Sequence, residues 1–393
     1  MTIQNTSNQT NQAKKDSQNS REDRFDNSIE FFKKKRSDLL VVATPDKLHI
    51  EHAKKAIELG YDVLLEKPIS DNKEELLTLV KEAENRDRIV MVCHVLRYTA
   101  MMRKVKEVLD SGAIGKLISI DHTENVAFWH QAHSYVRGNW RKREDCAPMI
   151  MTKCCHDLDL IQYFAGSKCK TISSMGDLRF FKMENKPENA GVRCSTCLIE
   201  NTCKYSAYKI YIDKWKRAGA KENSFPQNVL IDVLPITEEV LVKAINEGNY
   251  GKCVFECDNN VVDNQISIMQ FENGVTATLK MMAFTKYGGR RIRFFGTEGE
   301  LELIEEKGII TLKPYFREDR VWKIADLTDD LELHGGGDHR MVEELYKVLT
   351  GEMQNIETSL VNSIESHIMA IGAEESRLNG GKLVELEKYR KWL

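Results

Sequence analysis

The chain has 393 residues, long for one domain and comfortable for two. Charged residues make up 30% and hydrophobic ones 41%, and the net charge is −3 with both signs interleaved, so the chain carries no nucleic-acid footprint. No stretch approaches the ~20 apolar residues of a membrane helix, the Asn- and Gln-rich start lacks the apolar core of a secretory signal, and ten cysteines in so long a chain do not make a disulfide scaffold. These features predict a cytoplasmic protein with neither nucleic acid nor membrane as a partner.

Residues 1–25 are polar and are expected to form a disordered tail. Residues 38–44 (DLLVVAT), 61–66 and 89–95 are apolar runs, the first two closed by Pro45 and Pro68, which marks strands buried on both faces. Helical periodicity occupies 49–59 and 72–86 between them. Strand, helix, strand, helix, strand at this spacing predicts a parallel sheet with crossover helices. A helix over 101–109 leads into a strand at 116–123, and there the pattern changes. Segments 169–180, 263–271, 275–283, 291–296, 299–304 and 309–313 read as strands joined by turns such as Glu272-Asn273-Gly274, the pattern of an antiparallel sheet. Helices over 149–164, 338–349 and 358–378 should cover one of its faces. The predicted fold is therefore α/β followed by α+β, with a partial doubly wound sheet in 26–116 and a large open antiparallel sheet in 117–393.

Short motifs sit at the ends of these elements. Thr44-Pro45, with His49 four residues on, follows the first strand, and Glu66-Lys67-Pro68 follows the second. His94, Arg97 and Tyr98 follow the third, Ser111-Gly112 with Ile114-Gly115 closes the next helix, and His156-Asp157 with Asp159-Leu160 lies on the first long helix of the second half. Gly296-Thr297-Glu298-Gly299 joins two later strands. In this order the set resembles the glucose–fructose oxidoreductase and inositol dehydrogenase (Gfo/Idh/MocA) family, from about residue 26 onward.

That resemblance implies a Rossmann-type sheet using NAD or NADP, with Thr44, Pro45, His49, Glu66, Lys67, Pro68 and His94 bordering the cofactor. It implies Lys67 and His156 as catalytic residues, one polarising a substrate hydroxyl and the other accepting its proton. Many members carry an aspartate four residues before that histidine; this chain has Thr152, with Lys153 beside it. Arg97, His133, Arg137, Asn139, Trp140, Lys153 and Asp159 are the candidates for binding a polyol or carbohydrate, Trp140 offering a flat face to a sugar ring. The segment from His130 to Arg141 reads equally as a loop packed on itself. Relatives commonly form homo-oligomers through the open face of the antiparallel sheet.

A dinucleotide site needs a Gly-x-Gly-x-x-Gly turn where backbone approaches the pyrophosphate, and this chain has no glycine before Gly60. The first βαβ unit is thus expected to be missing, which would leave the strand at 39–43 as an apolar edge and place cofactor binding in question. Cys194 and Cys197, with Cys203 close behind, form a compact thiol cluster; with Cys253 or Cys257 they match a structural zinc site, the alternative being free thiols or a labile disulfide. Three functions compete: an NAD(P)-dependent oxidoreductase of a sugar, cyclitol or polyol; an NAD-dependent glycoside hydrolase working by oxidation and elimination; and a truncated, non-catalytic binding or partner protein.

Overall fold

The computed structural model describes residues 2–3, 24–221, 224–231, 234–329 and 332–391. Strands β1 (Thr2–Ile3), β2 (Leu39–Val42), β3 (Asp62–Leu65) and β4 (Val90–Val92) form a parallel sheet in that spatial order. Leu40, Val42, Val63, Leu65, Met91 and Val92 are fully or almost fully buried, which is why these strands are continuous apolar runs rather than alternating ones. Thr2 lies opposite Val41 and Ile3 opposite Val42. The edge of β2, expected to be bare, thus has a two-residue partner, and the segment expected to be disordered begins with sheet-paired backbone. Residues 4–23, the bulk of that segment, lie outside the described residues.

The crossovers are α1 (His49–Glu58), between β2 and β3, and α2 (Lys73–Asn85), between β3 and β4. Ile50, Ala53, Ala56 and Ile57 are buried at helical spacing on α1. Asn72 caps α2, its side-chain oxygen accepting the amides of Glu74 and Glu75. Helix α3 (Ala100–Asp110) then leads into β5 (Leu117–Ala127), the first strand of the second sheet.

The helix predicted over 149–164 is broken into α4 (Met149–Thr152) and α5 (Cys155–Ala165). At the break Lys153 turns its ammonium onto the buried Glu124 of β5, at 3.0 Å, a charge pairing that apolar periodicity does not report. After α5 comes β6 (Cys169–Asp177). Residues 178–262 then build a lobe with its own core of Phe181, Tyr205, Tyr211, Trp215, Leu241, Ile245 and Phe255. That core closes around Ala132 and Val136 of a π-helical segment, Gln131–Arg137. Within the lobe lie α6 (Lys214–Arg217) and α7 (Glu238–Glu247).

The remaining strands are β7 (Asn264–Phe271), β8 (Thr276–Thr285), β9 (Gly289–Gly296), β10 (Gly299–Ile304), β11 (Ile309–Pro314) and β12 (Arg320–Lys323). Two long helices, α8 (Glu332–Leu349) and α9 (Leu360–Leu378), precede β13 (Val384–Glu385). The nine-stranded sheet runs β12-β11-β10-β9-β5-β8-β7-β6-β13. It is mixed rather than purely antiparallel, because β5 pairs parallel with β8, Ser119 opposite Thr276, and antiparallel with β9, Thr123 opposite Arg291. Residues on β7 alternate strictly, Gln265, Ser267, Met269 and Phe271 facing inward and Ile266 and Ile268 outward. Helix α9 packs its buried Ile364, Ile368 and Met369 into the same core as both sheets. Among the described residues no helix is long and apolar enough to cross a membrane.

Candidate active site

Strands β2, β3 and β4 all end on the same side, where ligands of open parallel sheets sit. Two of the loops there are tied by one ring: His49 Nε2 lies 2.6 Å from the carbonyl oxygen of Thr44, and its Nδ1 lies 2.6 Å from that of Pro68. A neutral imidazole can donate to only one of those carbonyls. Thr44 is buried, its hydroxyl 3.1 Å from His52 Nδ1, while Ala43 and Pro45 on either side are exposed. Glu66, Lys67 and Pro68 leave β3 with a cis Lys67–Pro68 peptide. Lys67 is half-buried, and its ammonium forms no ion pair among the described residues.

Beyond β4, His94 is wholly buried and neither ring nitrogen has a hydrogen-bond partner. It lies between two other histidines, its ring centroid 5.9 Å from both His156 and His367. Burial, opposed by Asp159 and assisted by Arg97 and Lys67, brings its pKa down to about 4. His156, at the start of α5, is held well below the ordinary imidazole value by burial and then by Lys67, His94, Arg290 and Lys153. Its ring is therefore neutral at physiological pH, and Nδ1 is buried without a partner. A neutral imidazole can accept a proton, and an ammonium such as that of Lys67, whose charge acts on this ring, can polarise a hydroxyl.

A buried charge cluster underlies this histidine. Arg290 reaches Asp157 at 2.7 Å, Glu124 at 3.3 Å and Glu305 at 3.5 Å. Asp157 also lies 2.8 Å from His122, and Glu124 from Lys153 at 3.0 Å. Burial opposes the charge on Asp157, yet Arg290 and His122 outweigh it and hold the carboxyl low. Burial likewise opposes the charge on Lys153, and Glu124 more than restores it. The cluster fixes the first turn of α5, and with it His156, from three directions.

The other predicted site residues separate into two groups. Arg97 and Asp159 meet each other, Nε to Oδ2 at 2.7 Å and Nη2 to Oδ1 at 2.6 Å, both buried. This pair pins the turn after β4 to α5. His133 and Arg137 point into the lobe: His133 stacks on Tyr250 at 4.9 Å with the Tyr211 hydroxyl 3.1 Å from its Nδ1, and Arg137 donates to the carbonyls of Lys252 and Tyr205. Asn139 and Trp140 stay exposed, and Trp140 Nε1 donates to Asp46 at 3.1 Å, joining the segment to the loop after β2. Sequence reasoning missed the residues around His130. Trp129 and His130 meet Phe225 of the lobe at 6.1 and 5.7 Å between ring centroids, and the Lys214 ammonium lies 4.1 Å from the centre of the Trp129 ring. Only the folded lobe brings 214 and 225 to 129, so no spacing signal announces them.

The expected zinc site is not formed. Cys194, Cys197, Cys203 and Cys253 do line one cavity of the lobe, but among the described residues no group of three or more such side chains is arranged to hold a metal ion. The sulfurs are engaged singly instead: Cys194 accepts from the Ala207 amide at 3.4 Å and from Arg137, and Cys197 accepts from the Gly191 amide at 3.2 Å. All ten cysteines are free thiols.

The crevice fits one end of a dinucleotide. Thr44, Pro45, the Glu66-Lys67-Pro68 segment and the buried His94, whose ring nitrogens lack a hydrogen-bond partner, all follow the carboxyl ends of the strands, where ligands of open parallel sheets sit. A pyrophosphate cradle is not seen there: the loops leaving β2, β3 and β4 contain no glycine.

Comparison with known proteins agrees with this architecture. Residues 3–94 match an oxidoreductase family described as an NAD-binding Rossmann fold, and residues 106–377 match the C-terminal alpha/beta domain of the same family. The putative oxidoreductase YteT of Bacillus subtilis is 23% identical over 83% of this chain and 75% of its own length. A 2,7-anhydro-N-acetylneuraminate hydratase of Mediterraneibacter gnavus is 27% identical, over 35% of this chain and 36% of its own. Among solved structures, levoglucosan dehydrogenase in complex with NADH and levoglucosan superposes with a TM-score of 0.65 at 14% identity, covering 91% of this chain and 83% of that one. An oxidoreductase from Agrobacterium radiobacter in complex with NAD+, L-tartaric acid and magnesium gives 0.63 at 15% identity, covering 92% and 84%. With both halves matched over most of its length, the chain belongs to the Gfo/Idh/MocA family of oxidoreductases.

Proposed function

We propose that this chain is an NAD(P)-dependent oxidoreductase acting on a carbinol of a sugar, cyclitol or related polyol. What supports this reading is His156, its ring 5.9 Å from the buried His94 that follows β4, kept neutral by burial and by the charge of Lys67, an ammonium with no ion pair among the described residues. Thr44, Pro45, Glu66 and His94 would hold the nicotinamide, which when bound supplies the redox chemistry. Lys67 orients the substrate hydroxyl and polarises it; His156 accepts the proton as the carbinol is oxidised, and returns it in the reverse direction. The Arg290–Asp157–Glu124–Lys153 cluster keeps His156 in place. Levoglucosan and 2,7-anhydro-N-acetylneuraminate, named for two relatives, are oxygen-rich carbohydrates, which supports the substrate class. The exposed Met175, Ile266 and Ile268 on the open sheet face support assembly with a second copy.

NAD and NADP titrated calorimetrically into the full chain, with folding checked by circular dichroism, test this directly. Binding in the micromolar range and polyol-dependent NADH or NADPH formation are expected. Lys67→Ala and His156→Asn should each lower turnover by ~10²-fold or more. A folded protein that binds neither cofactor, or variants that keep full turnover, would refute the reading.

A further inference from the structure

The lobe of residues 178–262 holds a group of side chains that the function proposed above leaves unused. Cys194, Cys197, Cys203 and Cys253 line one cavity there, together with Arg137, Arg193 and Glu200. Its volume is about 30 Å³. At ~10–15 Å³ for one water-sized molecule, it admits a ligand of about two heavy atoms. Cys197, Cys203 and Cys253 are half-exposed, so solvent reaches the cavity wall.

Both arginines carry a donor that the fold does not use. Arg137 is 2% exposed; its Nε and Nη2 donate to the carbonyls of Lys252 and Tyr205, and Nη1 is buried without a partner. Arg193 donates Nη2 to the carbonyls of Ile245 and Gly248, and its Nε is likewise buried without a partner. Neither forms an ion pair among the described residues. A guanidinium cannot shed its proton, and a buried charge is costly unless an opposite one lies near. Glu200 is the one carboxylate among the residues lining the cavity, and it binds the Ser206 hydroxyl rather than either arginine.

The sulfurs are the remaining groups there that can become anionic, and donors are already aimed at two of them. Cys194 receives Arg137 Nη2 at 3.8 Å and the Ala207 amide at 3.4 Å, and Cys197 receives the Gly191 amide at 3.2 Å. Burial pushes the thiols of Cys203 and Cys253 above the ordinary thiol value, which sets them apart from this pair. Cys194 and Cys197 are also close enough to bond. They end a single 3₁₀ turn, the Cys197 amide donating to the Cys194 carbonyl at 3.4 Å. Such a turn brings its end Cα atoms within ~7 Å, and a disulfide spans about 4.4–6.8 Å.

We infer that Cys194 and Cys197 form a peroxide-reactive dithiol, with Arg137 and Arg193 as the counter-charge for the reacting sulfur and for the hydroxide that leaves. The Cys194 thiolate attacks one oxygen of hydrogen peroxide. An S–O bond forms, the O–O bond breaks, and the departing hydroxide takes up the proton that Cys194 had released, as water. The Cys197 sulfur then displaces the oxygen of the sulfenic acid, its own proton completing a second water, and the S–S bond closes. Each sulfur gives up one electron and peroxide accepts both. This inference does not rest on the polyol reading.

The test treats the full chain with hydrogen peroxide, quenches it with an alkylating reagent at intervals, and assigns each cysteine by tandem mass spectrometry. Cys194 and Cys197 should stop alkylating together, about tenfold or more faster than Cys203 or Cys253, and a thiol reductant should restore both. In Cys197→Ser no second thiol follows, so the sulfenic acid should persist on Cys194 and be trapped by dimedone. Arg137→Met should slow the oxidation about tenfold. Circular dichroism checks that this variant is folded; if it is not, the dimedone adduct on Cys194 decides. Four cysteines that oxidise at one rate, a disulfide joining Cys194 to Cys203 or Cys253, or no adduct on Cys194 would overturn the inference. So would a metal ion found on the untreated chain by native mass spectrometry and shielding these sulfurs.

Discussion

Replacing Arg290 with methionine tests how the candidate base is held in place. The guanidinium is buried against Asp157, Glu124 and Glu305, at 2.7, 3.3 and 3.5 Å. Methionine fills much of the same space but leaves two buried carboxyl groups with only His122 and Lys153 for company. Removing one partner of a buried ion pair costs about 3–5 kcal/mol, and because partners remain for both carboxylates the expected loss is at the low end, about 3 kcal/mol near neutral pH. The pH dependence has a definite sign. Asp157 is held below its unfolded value, so its contribution is present above that value and is lost as pH falls through the folded one. Glu124 is raised despite Arg290, because burial dominates; its contribution is full below the unfolded value and is lost as pH rises through the folded one. Without Arg290 the Asp157 carboxyl loses its main depressing charge and that of Glu124 rises further, so both take up protons sooner on acidification and the deficit of the variant should shrink toward acid pH. Urea unfolding of both proteins, followed by tryptophan fluorescence at neutral and mildly acidic pH, measures this. A deficit below about 1 kcal/mol at neutral pH, or one that widens in acid, would refute the account.

Two further outcomes follow from the packing. Burial brings His94 down to about 4 and His130, His133 and His367 to about 3, with His156 also well below its ordinary value. The unfolded chain therefore binds more protons in acid, and stability that is present above about pH 6.5 should be lost as pH falls, at about 1 kcal/mol per pH unit for each of these histidines. Urea midpoints that stay constant between about pH 7 and about pH 5.5 would show that the rings are not held neutral. In the lobe, a Cβ added at Gly251 would collide with the backbone carbonyl of Ile245, which cannot rotate away. Gly251→Ala should cost about 1–3 kcal/mol in the same assay, and a loss under about 0.5 kcal/mol would mean the lobe is looser than its packing implies.

The sequence was informative where burial writes a local pattern. The runs around Leu40, Val63 and Met91 announced a parallel sheet because strands covered on both faces need apolar residues throughout. The alternation in β7 announced a sheet with one open face. What it could not announce was pairing at a distance. Arg97 and Asp159 both looked like ligand contacts, and nothing local to either shows that they satisfy each other across 62 positions. Arg290 and Glu124 fall on different strands of the mixed sheet and gave no signal as a pair. The thiols of the lobe were close enough in sequence to suggest zinc, but spacing does not fix where sulfurs point, and backbone amides claim two of them. The order of the strands was out of reach of the sequence for a related reason. Strands β8 and β9 are separated by three residues and read as a hairpin, yet β5, from far upstream, lies between them.

That placement of β5 sets an order in time. Ser119 and Thr276, which hydrogen-bond across the β5–β8 pair, are 157 positions apart. At synthesis rates of ~5–20 residues per second, β5 is made roughly 8–30 s before either of its neighbours exists. During that interval Ile120 and Val126, later among the best-buried residues, have no sheet to enter. The middle of the mixed sheet is thus closed only after β9 has been made, and the nascent chain must keep its central strand from finding another partner until then.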